Sequence, residues 1–265
     1  MNSLLKVDQV SFAYRTRSSM FGGSKLLPAV DGVSFDVRQG EIVGLVGESG
    51  SGKSTVGKLV MGDMLPLAGR IERIMPPGEP ERRPFAQMVF QDTGGSLDPR
   101  WSVARSVAEP LNLAGCVPAP MRKARVIEAL ERVGLNEAFL DRYPGQLSGG
   151  QRQRVVIARA IISNPRLLVC DEAVSALDVS IQKQILDILV FLNDSTGMAF
   201  LFITHDLRVV ASLCSRVLVM RKGRIVEAGK TAEVLLSPWD RYTRELVEAV
   251  PLMPRFDAIS TESAA

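Results

Sequence analysis

Two short stretches of this 265-residue chain combine glycines with small hydroxyl residues, as phosphate-binding loops do. The first, GESGSGKST at 47–55, matches the pattern G-x-x-x-x-G-K-[ST] in full. Glycines let backbone N–H groups surround phosphate oxygens, Lys53 offers a cation to the outer phosphates, and the Ser54 hydroxyl is an oxygen ligand of the kind that Mg²⁺ prefers. The nucleotide-binding residues predicted here are Gly47, Glu48, Ser49, Gly50, Ser51, Gly52, Lys53, Ser54 and Thr55.

The second stretch, QLSGGQRQRVV at 146–156, reads as the start of a helix. A helix N-terminus attracts anions, because its first N–H groups are unpaired and the helix dipole is positive there. A chain with one phosphate loop therefore carries two candidate anion sites, about a hundred residues apart.

Two carboxylates end a predicted buried strand, RLLVCDE at 166–172. Asp171 emerges at the C-terminal end, where ligands bind in open α/β sheets, and could hold Mg²⁺ through water. Glu172 follows on the other side of the pleat, where a carboxylate beside a terminal phosphate could polarise an attacking water. An isolated Asp-Glu pair would be an ordinary strand end, so the upstream loop is what favours the catalytic interpretation.

The elements around these residues alternate in type. Short β-rich segments come first, then the buried strand EIVGLVG and a helix from Lys53 to Met61. The proline-rich stretch 75–84 reads as a loop, and FAQMVFQ as a strand ending at Gln91. Helical periodicity over 101–163 indicates a helical insertion at about 95–150, after which β and α segments alternate. We predict an α/β fold: a mixed sheet with helices on both faces, an antiparallel β subdomain and an inserted helical subdomain.

Composition limits the classes of function. Hydrophobic residues make up 46% of the chain, and 32 Lys and Arg stand against 29 Asp and Glu. No basic run is dense enough to indicate a nucleic-acid surface. No CxxC pair occurs among the three cysteines, no apolar run approaches the ~20 residues of a membrane span, and the N-terminus lacks the apolar core of a signal peptide. We expect a cytoplasmic protein whose membrane contact is peripheral.

The motifs together resemble those of the ATP-binding cassette (ABC) ATPases. The phosphate loop, LSGGQ at 147–151, LLVCDE, SALD at 175–178 and ITHD at 203–206 occur in the order of that family, over about residues 4–235. The resemblance implies an ABC ATPase domain at 1–236 that contains the helical subdomain, and a C-terminal extension at 237–265. It also implies ATP and Mg²⁺ as cofactors.

The resemblance assigns roles by position. Tyr14 would stack on adenine, an interpretation that we favour over an ordinary edge-strand tyrosine. Gln91 would approach both Mg²⁺ and the attacking water. It would therefore be a metal ligand, together with Ser54 and Asp171, and also a catalytic residue, together with Glu172. His205, the single histidine of the chain, would contact the γ-phosphate, although a lone histidine at a strand end is more often structural.

In the family two cassettes pair head to tail, so that each closes the other's ATP site. The residues that would act in trans are Ser148, Gly149, Gly150, Gln151 and Asp178. This pairing would explain why one chain needs two anion sites. The second cassette could be another copy or a related ATPase subunit.

Within the family the surroundings look like the peptide and nickel import ATPases. VFQDTGGSLDPR, YPGQLSGGQRQRVVIARA and SPWDRYTRELVEAVP carry this likeness, with Asp240 and Arg241 where the group usually has His-Pro. The implied partners are two transmembrane permease subunits and, indirectly, an external solute-binding protein. A permease helix would dock near residues 91–101, at the cytoplasmic face of the inner membrane.

Other classes of function stay open from the sequence: a soluble ABC ATPase that acts on nucleic acid or ribosomes, an exporter ATPase, and a module that binds ATP without turnover. Retention of Lys53, Asp171, Glu172 and His205 together argues against the last. The transported solute is left open, since selectivity would lie in the binding protein and the permease.

Overall fold

The computed structural model describes residues 3–18, 23–75, 83–90, 93–114, 117–175 and 177–250. The strands in this part of the chain are β1 (Ser3–Ser18), β2 (Gly23–Arg38), β3 (Ile42–Val46), β4 (Ala68–Arg73), β5 (Ala86–Phe90), β6 (Leu167–Asp171), β7 (Ala199–Thr204), β8 (Arg216–Arg221) and β9 (Arg224–Lys230). The helices are α1 (Lys53–Met61), α2 (Thr93–Ser96), α3 (Val103–Ala114), α4 (Ala119–Arg132), α5 (Gly149–Ile161), α6 (Val179–Thr196), α7 (Leu207–Leu213), α8 (Thr231–Leu236) and α9 (Arg241–Glu248), with short 3₁₀ turns at Glu137–Phe139 and Pro144–Gln146.

The main sheet has the strand order β5-β6-β7-β3-β8-β9, parallel throughout except for the antiparallel pair β8-β9. Successive side chains of a strand point to opposite faces, and β6 shows the consequence. Leu167 and Val169 pack in the cluster that contains β1, β2 and α1, whereas Leu168 and Cys170 pack in the cluster formed by α3 to α8. The sheet is therefore covered on both faces, as predicted.

The order of the strands gathers the motifs at one edge of this sheet. β6, β7 and β3 are neighbours, and parallel pairing aligns Asp171 with Ile203 and Val46 with Thr204. The phosphate loop, the two carboxylates and His205 each follow the C-terminal end of one of these strands. Ligands bind at such an edge in open parallel sheets.

A second, antiparallel sheet has the order β2-β1-β4. Val7 and Val10 of β1, with Val33 and Val37 of β2, are buried against α1 and the main sheet. This is the antiparallel subdomain expected from the sequence.

Between β5 and β6, every described element is helical. Val107 and Leu111 of α3, Val126 and Leu130 of α4, and Ile157 of α5 are each no more than 3% exposed and share one core. The α5 helix contacts α3 and α4 as well as β5, so it connects the helical region to the sheet.

The C-terminal segment folds back on the main sheet through α8 and α9. The Asp240 carboxylate caps α9 by accepting from the Tyr242 N–H at 2.8 Å. Arg241 holds the first helical position, where proline is also well suited. Asp240-Arg241, which stands where related ATPases have His-Pro, is thus also suited to begin this helix, because the Asp240 carboxylate caps it.

Candidate functional site

The loop at 47–55 joins β3 to α1 and has the backbone of a phosphate cradle. Gly47 and Gly52 have φ angles of 152° and 108°, which residues with side chains rarely adopt. A Cβ atom at Gly47 would overlap the carbonyl oxygen of Met220. Gly52 precedes α1, and no side chain caps the N–H groups that begin this described helix. Those N–H groups can therefore donate hydrogen bonds to a bound anion.

Lys53 is buried within this loop. Its Nζ donates to the carbonyl oxygens of Gly47 and Glu48, each at 2.8 Å. Burial lowers the pKa of the Lys53 ammonium, while the nearby carboxylates of Glu172 and Asp171 act in the opposite direction. A desolvated cation held by carbonyls is well prepared to interact with phosphate oxygens.

Ser54 and Asp171 come together although they are 117 residues apart. The Ser54 hydroxyl donates to Asp171 Oδ1 at 3.0 Å. Burial raises the pKa of Asp171, since a carboxylate that loses water is costly in its charged form. Two oxygen ligands and a poorly solvated negative charge suit Mg²⁺, which commonly takes one or two protein oxygens plus substrate phosphates.

Glu172 has a strained backbone. Its φ of 50° lies in the left-handed region, and its N–H donates to the Ile203 carbonyl of the neighbouring strand at 2.9 Å. Such strain in a non-glycine residue costs about 1–3 kcal/mol and is concentrated at functional sites. The conformation brings Glu172 Oε1 within 3.3 Å of His205 Nδ1, so a carboxylate and an imidazole share the edge beside Lys53.

Tyr14 reaches the same loop from β1. Its hydroxyl lies 3.1 Å from Thr55 Oγ1, and the Phe12 ring packs edge-on against it with centroids 5.1 Å apart. The Tyr14 hydroxyl therefore lies beside the nucleotide loop. Gln91, predicted to join the metal site, lies outside the described residues.

The second anion site is built as a capped helix start. Ser148 Oγ accepts from the Gln151 N–H at 3.2 Å, and Gln151 Oε1 accepts from the Ser148 N–H at 3.0 Å. A Cβ at Gly150 would lie 2.6 Å from Ile181 Cγ2, so glycine permits close packing of α5 on α6. Asp178 stands at the N-cap position of α6.

An open cavity of about 510 Å³ adjoins this helix start. Its lining includes Ser148, Gly150 and Gln151 and contains none of residues 47–55. Among the residues that the structure describes, the fold brings together Lys53, Ser54, Asp171, Glu172 and His205 at one edge of the sheet. None of these five residues lines the cavity at Ser148.

A larger cleft, of about 940 Å³, separates the main sheet from the helical region. Gly95 and Ser96 line it, from the segment expected to receive a permease helix, together with Phe90, Glu109 and Leu113. Arg100, which belongs to the same 91–101 segment, does not line the cleft. Its guanidinium pairs with the Asp98 carboxylate at 2.7 Å.

Sequence reasoning missed one contact with the phosphate loop. The hydroxyl of Tyr242, in α9, accepts from the Glu48 N–H at 2.8 Å. In the sequence, Tyr242 is marked only by its place in SPWDRYTRELVEAVP, the segment that resembles the import ATPases. That likeness does not identify Glu48 as its hydrogen-bond partner.

Comparisons with known proteins agree on one family. The family model described as ABC transporter matches residues 30–175. A protein of Brucella abortus named as a peptide import ATP-binding protein is 47% identical over 238 residues, which cover 87% of this chain and 71% of the relative. The glutathione import ATP-binding protein GsiA of Escherichia coli is 43% identical over 257 residues, or 94% of this chain and 41% of that longer protein.

Solved structures give the same result. The structure of cbiO1 from Clostridium perfringens, part of the ABC transporter complex cbiONQ, superposes with a TM-score of 0.75 at 28% identity, over 89% of this chain and 92% of that one. The dimeric ATP-binding cassette MJ0796, bound to ADP and Pi, gives 0.73 at 30% identity, over 86% and 98%. Within the described part of this chain, no helix combines the length and apolar character needed to cross a bilayer.

Proposed function

Because this chain belongs to the ABC transporter family as an ATP-hydrolysing import subunit, we propose that it couples ATP turnover to the uptake of peptides, nickel or related small solutes. The observation that supports this most directly is the convergence of Lys53, Asp171, Glu172 and His205 at the carboxyl edge of the sheet. Each residue type there has a distinct task toward a nucleoside triphosphate.

The nucleotide is held by its phosphates and its base. The loop N–H groups and the Lys53 ammonium bind the phosphate oxygens, and Tyr14 stacks on the adenine. Ser54 and Asp171, with Gln91, would hold Mg²⁺, and Asp171 would do so through water. When bound, the metal supplies charge neutralisation at the phosphates.

Hydrolysis depends on Glu172. Its carboxylate takes a proton from the water that attacks the γ-phosphate. One ring nitrogen of His205 faces this carboxylate at 3.3 Å, which leaves the other nitrogen for a contact with the γ-phosphate. Only the imidazolium form carries a proton on both nitrogens, and in that form His205 can donate to the Glu172 carboxylate and to the γ-phosphate together.

The complete site needs a second cassette. Ser148, with the N–H groups of Gly149 and Gly150, caps the γ-phosphate bound by the partner, and Gln151 and Asp178 contribute from the same side. Two features support this: the cavity at Ser148 holds none of residues 47–55, and the similar cassette MJ0796 is a dimer bound to ADP and Pi. The partner is a second copy or a related ATPase subunit.

Transport requires two permease subunits, each of which places a cytoplasmic helix in the cleft lined by Phe90, Glu109 and Leu113. An external binding protein delivers the solute. The subunit then works from the cytoplasmic face of the inner membrane. A role on nucleic acid or ribosomes is less well supported, since the net charge is only +3 and the curated relatives described above are named as import subunits.

The experiment that tests the proposal is phosphate release by the purified chain with Mg-ATP, compared between the unmodified protein and Glu172→Gln, with and without its co-expressed permeases. We expect hydrolysis that requires Glu172 and that responds to the permeases. Equal phosphate release by both proteins would refute the assignment of the site.

A further inference from the structure

The start of helix α9 is fastened to the main sheet. Glu227 of β9 is 2% exposed, and its carboxylate accepts from the N–H groups of Trp239 at 3.0 Å and Asp240 at 3.1 Å. The Asp240 carboxylate in turn caps the helix. These bonds fix where the first turn of α9 lies.

That placement inserts Tyr242 against the phosphate loop. The side chain is 2% exposed, although it belongs to a C-terminal helix. The Arg221 guanidinium lies 4.6 Å from the centre of its ring, and its hydroxyl accepts from the Glu48 N–H at 2.8 Å across 194 residues of sequence. The loop peptide at Glu48 is thus bonded from outside the loop.

The peptide group that Tyr242 binds also binds the phosphate-binding cation. This group joins Gly47 to Glu48, and its carbonyl, which belongs to Gly47, accepts from Lys53 Nζ at 2.8 Å. The Glu48 carbonyl, one peptide further along, accepts from Lys53 Nζ at 2.8 Å and from the Ser51 N–H at 3.1 Å. Lys53 has a flexible four-carbon side chain, so the position of its ammonium depends on the carbonyls that bind it. A short bonded path therefore runs from Tyr242 through the Gly47–Glu48 peptide to Lys53.

We propose that Tyr242 is a positioning residue for ATP binding: its hydroxyl fixes the Gly47–Glu48 peptide and, through it, the Lys53 ammonium. The C-terminal helix then sets the affinity of the phosphate loop for nucleotide. The inference rests on the proposed function of residues 47–55 as the ATP site. Its physical basis is preorganisation, since a loop already held in its binding conformation loses less freedom when the ligand arrives.

Tyr242→Phe isolates the hydroxyl. The ring, its burial and its contact with Arg221 can remain, while the Glu48 N–H loses its acceptor. We expect the KM for ATP to rise roughly tenfold, the scale of one unmade buried hydrogen bond, while kcat at saturating ATP stays within about threefold because the reacting groups are unchanged. A merely structural role would give the opposite split, since a smaller folded fraction lowers apparent kcat and leaves KM unchanged.

Arg241→Gln provides the matched control on the same helix. Arg241 pairs with Glu245 on the exposed side, and such pairs contribute little, so we expect KM within about twofold of the unmodified protein. Thermal unfolding of both variants checks that α9 stays folded. An unchanged KM in Tyr242→Phe overturns the inference, whether or not its Tm falls.

A second measurement needs no change at Tyr242. Coupling between two sites is reciprocal. If α9 stabilises the nucleotide-binding form of the loop, bound Mg-ATP must stabilise the docked form of α9, and it should slow amide hydrogen exchange in residues 241–248. Ser148→Arg is the protein to use, because it is expected to stay monomeric and pairing then contributes nothing. If this protein binds Mg-ATP while exchange in α9 is unaltered, the inference fails; if it binds no Mg-ATP, the proposed function fails as well.

Discussion

Glu172 Oε1 lies 3.3 Å from Nδ1 of His205, at the ends of two adjacent parallel strands. The contact depends on the left-handed backbone of Glu172, whose φ is 50°. Burial lowers the pKa of the Lys53 ammonium in the phosphate loop, and the same carboxylate lies near enough to act in the opposite direction. The strained residue is therefore the one to which we assign proton transfer.

Replacing Glu172 by Gln should separate binding from hydrolysis. The amide keeps the shape and hydrogen bonding of the side chain but cannot take a proton. We expect ATP affinity within a few-fold of the unmodified protein and turnover lowered by about 10²-fold or more. Nucleotide titration and phosphate release measure the two effects, and Glu233→Gln, an exposed change on α8, should alter neither. Near-normal turnover in Glu172→Gln would remove this residue from the catalytic role.

Lys53→Ala should act on binding instead. It removes a buried ammonium held by the Gly47 and Glu48 carbonyls, and with it a charge-assisted contact to phosphate. We expect ATP affinity to fall by at least about tenfold. Lys123→Ala is the control, because Lys123 is exposed and pairs with Glu137 in the helical region. Equilibrium titration with Mg-ATP checks both, and an unchanged affinity for Lys53→Ala would contradict the phosphate-loop assignment.

Much of this site could be predicted from the sequence because its parts are local. The loop at 47–55 carries its own glycines, cation and hydroxyl, and the carboxylates follow directly on a strand that is apolar enough to be recognised. Parallel strands then bring those ends to one edge, which follows from the alternation of β and α. β4 was missed because five of its six residues are exposed, so no run of buried apolar residues marks it as a strand.

Long-range contacts lie beyond such reasoning. Tyr242 and Glu48 are separated by 194 residues, and their bond uses a backbone N–H that any residue at position 48 would supply. Sequence carries no record of such a donor. The Ser54–Asp171 bond is different, since both side chains belong to motifs that we propose to bind one Mg²⁺ ion.

Asp171 should make stability depend on pH. Burial raises the pKa of Asp171, so the folded protein binds this proton more tightly than the unfolded chain. The resulting stabilisation is present at pH values below the ordinary carboxyl range and is lost as pH rises through the raised pKa. Asp171→Asn carries no such charge. Without Mg²⁺ and nucleotide, we expect its Tm to exceed that of the unmodified protein at neutral pH, with the difference shrinking toward acid pH.

Thermal scans at several pH values measure this effect. Asp187→Asn is the control, because Asp187 lies on α6 with an exposed side chain. We expect no comparable gain in Tm from this change at neutral pH. The explanation fails if Asp171→Asn is less stable than the unmodified protein at neutral pH in the absence of ligand.

Permease docking should depend on the cleft beside α3. Leu113 lines the cleft and is 82% exposed, so its side chain is accessible to a docking helix. Leu113→Asp should lower co-purification with the permeases by about tenfold or more, as expected for a charge in an apolar interface centre, while basal ATP hydrolysis is retained. Leu65→Asp tests specificity, since Leu65 is 81% exposed and does not line the cleft. Equal permease binding by both variants would place the docking surface elsewhere.

Pairing of two cassettes should require the helix start at Ser148. In the proposed pair, the second anion site of each chain binds the nucleotide held by the phosphate loop of the other chain. ATP therefore bridges the two chains, and loss of the γ-phosphate weakens their association. Glu172→Gln, which retains ATP, should therefore dimerise with Mg-ATP in sedimentation experiments. Adding Ser148→Arg places a bulky side chain where the phosphate must fit and should abolish dimerisation.

Ser148→Ala is the informative control for that experiment. Ser148 Oγ also caps α5 by accepting from the Gln151 N–H, and both substitutions lose this bond, at about 1 kcal/mol. Only the arginine adds bulk at the interface, so Glu172→Gln with Ser148→Ala should still pair, if more weakly. Activity of the unmodified protein should likewise rise more than linearly with its concentration. Full hydrolysis by a monomer that tolerates Ser148→Arg would show that the site is not shared, and the second anion site would then need another ligand.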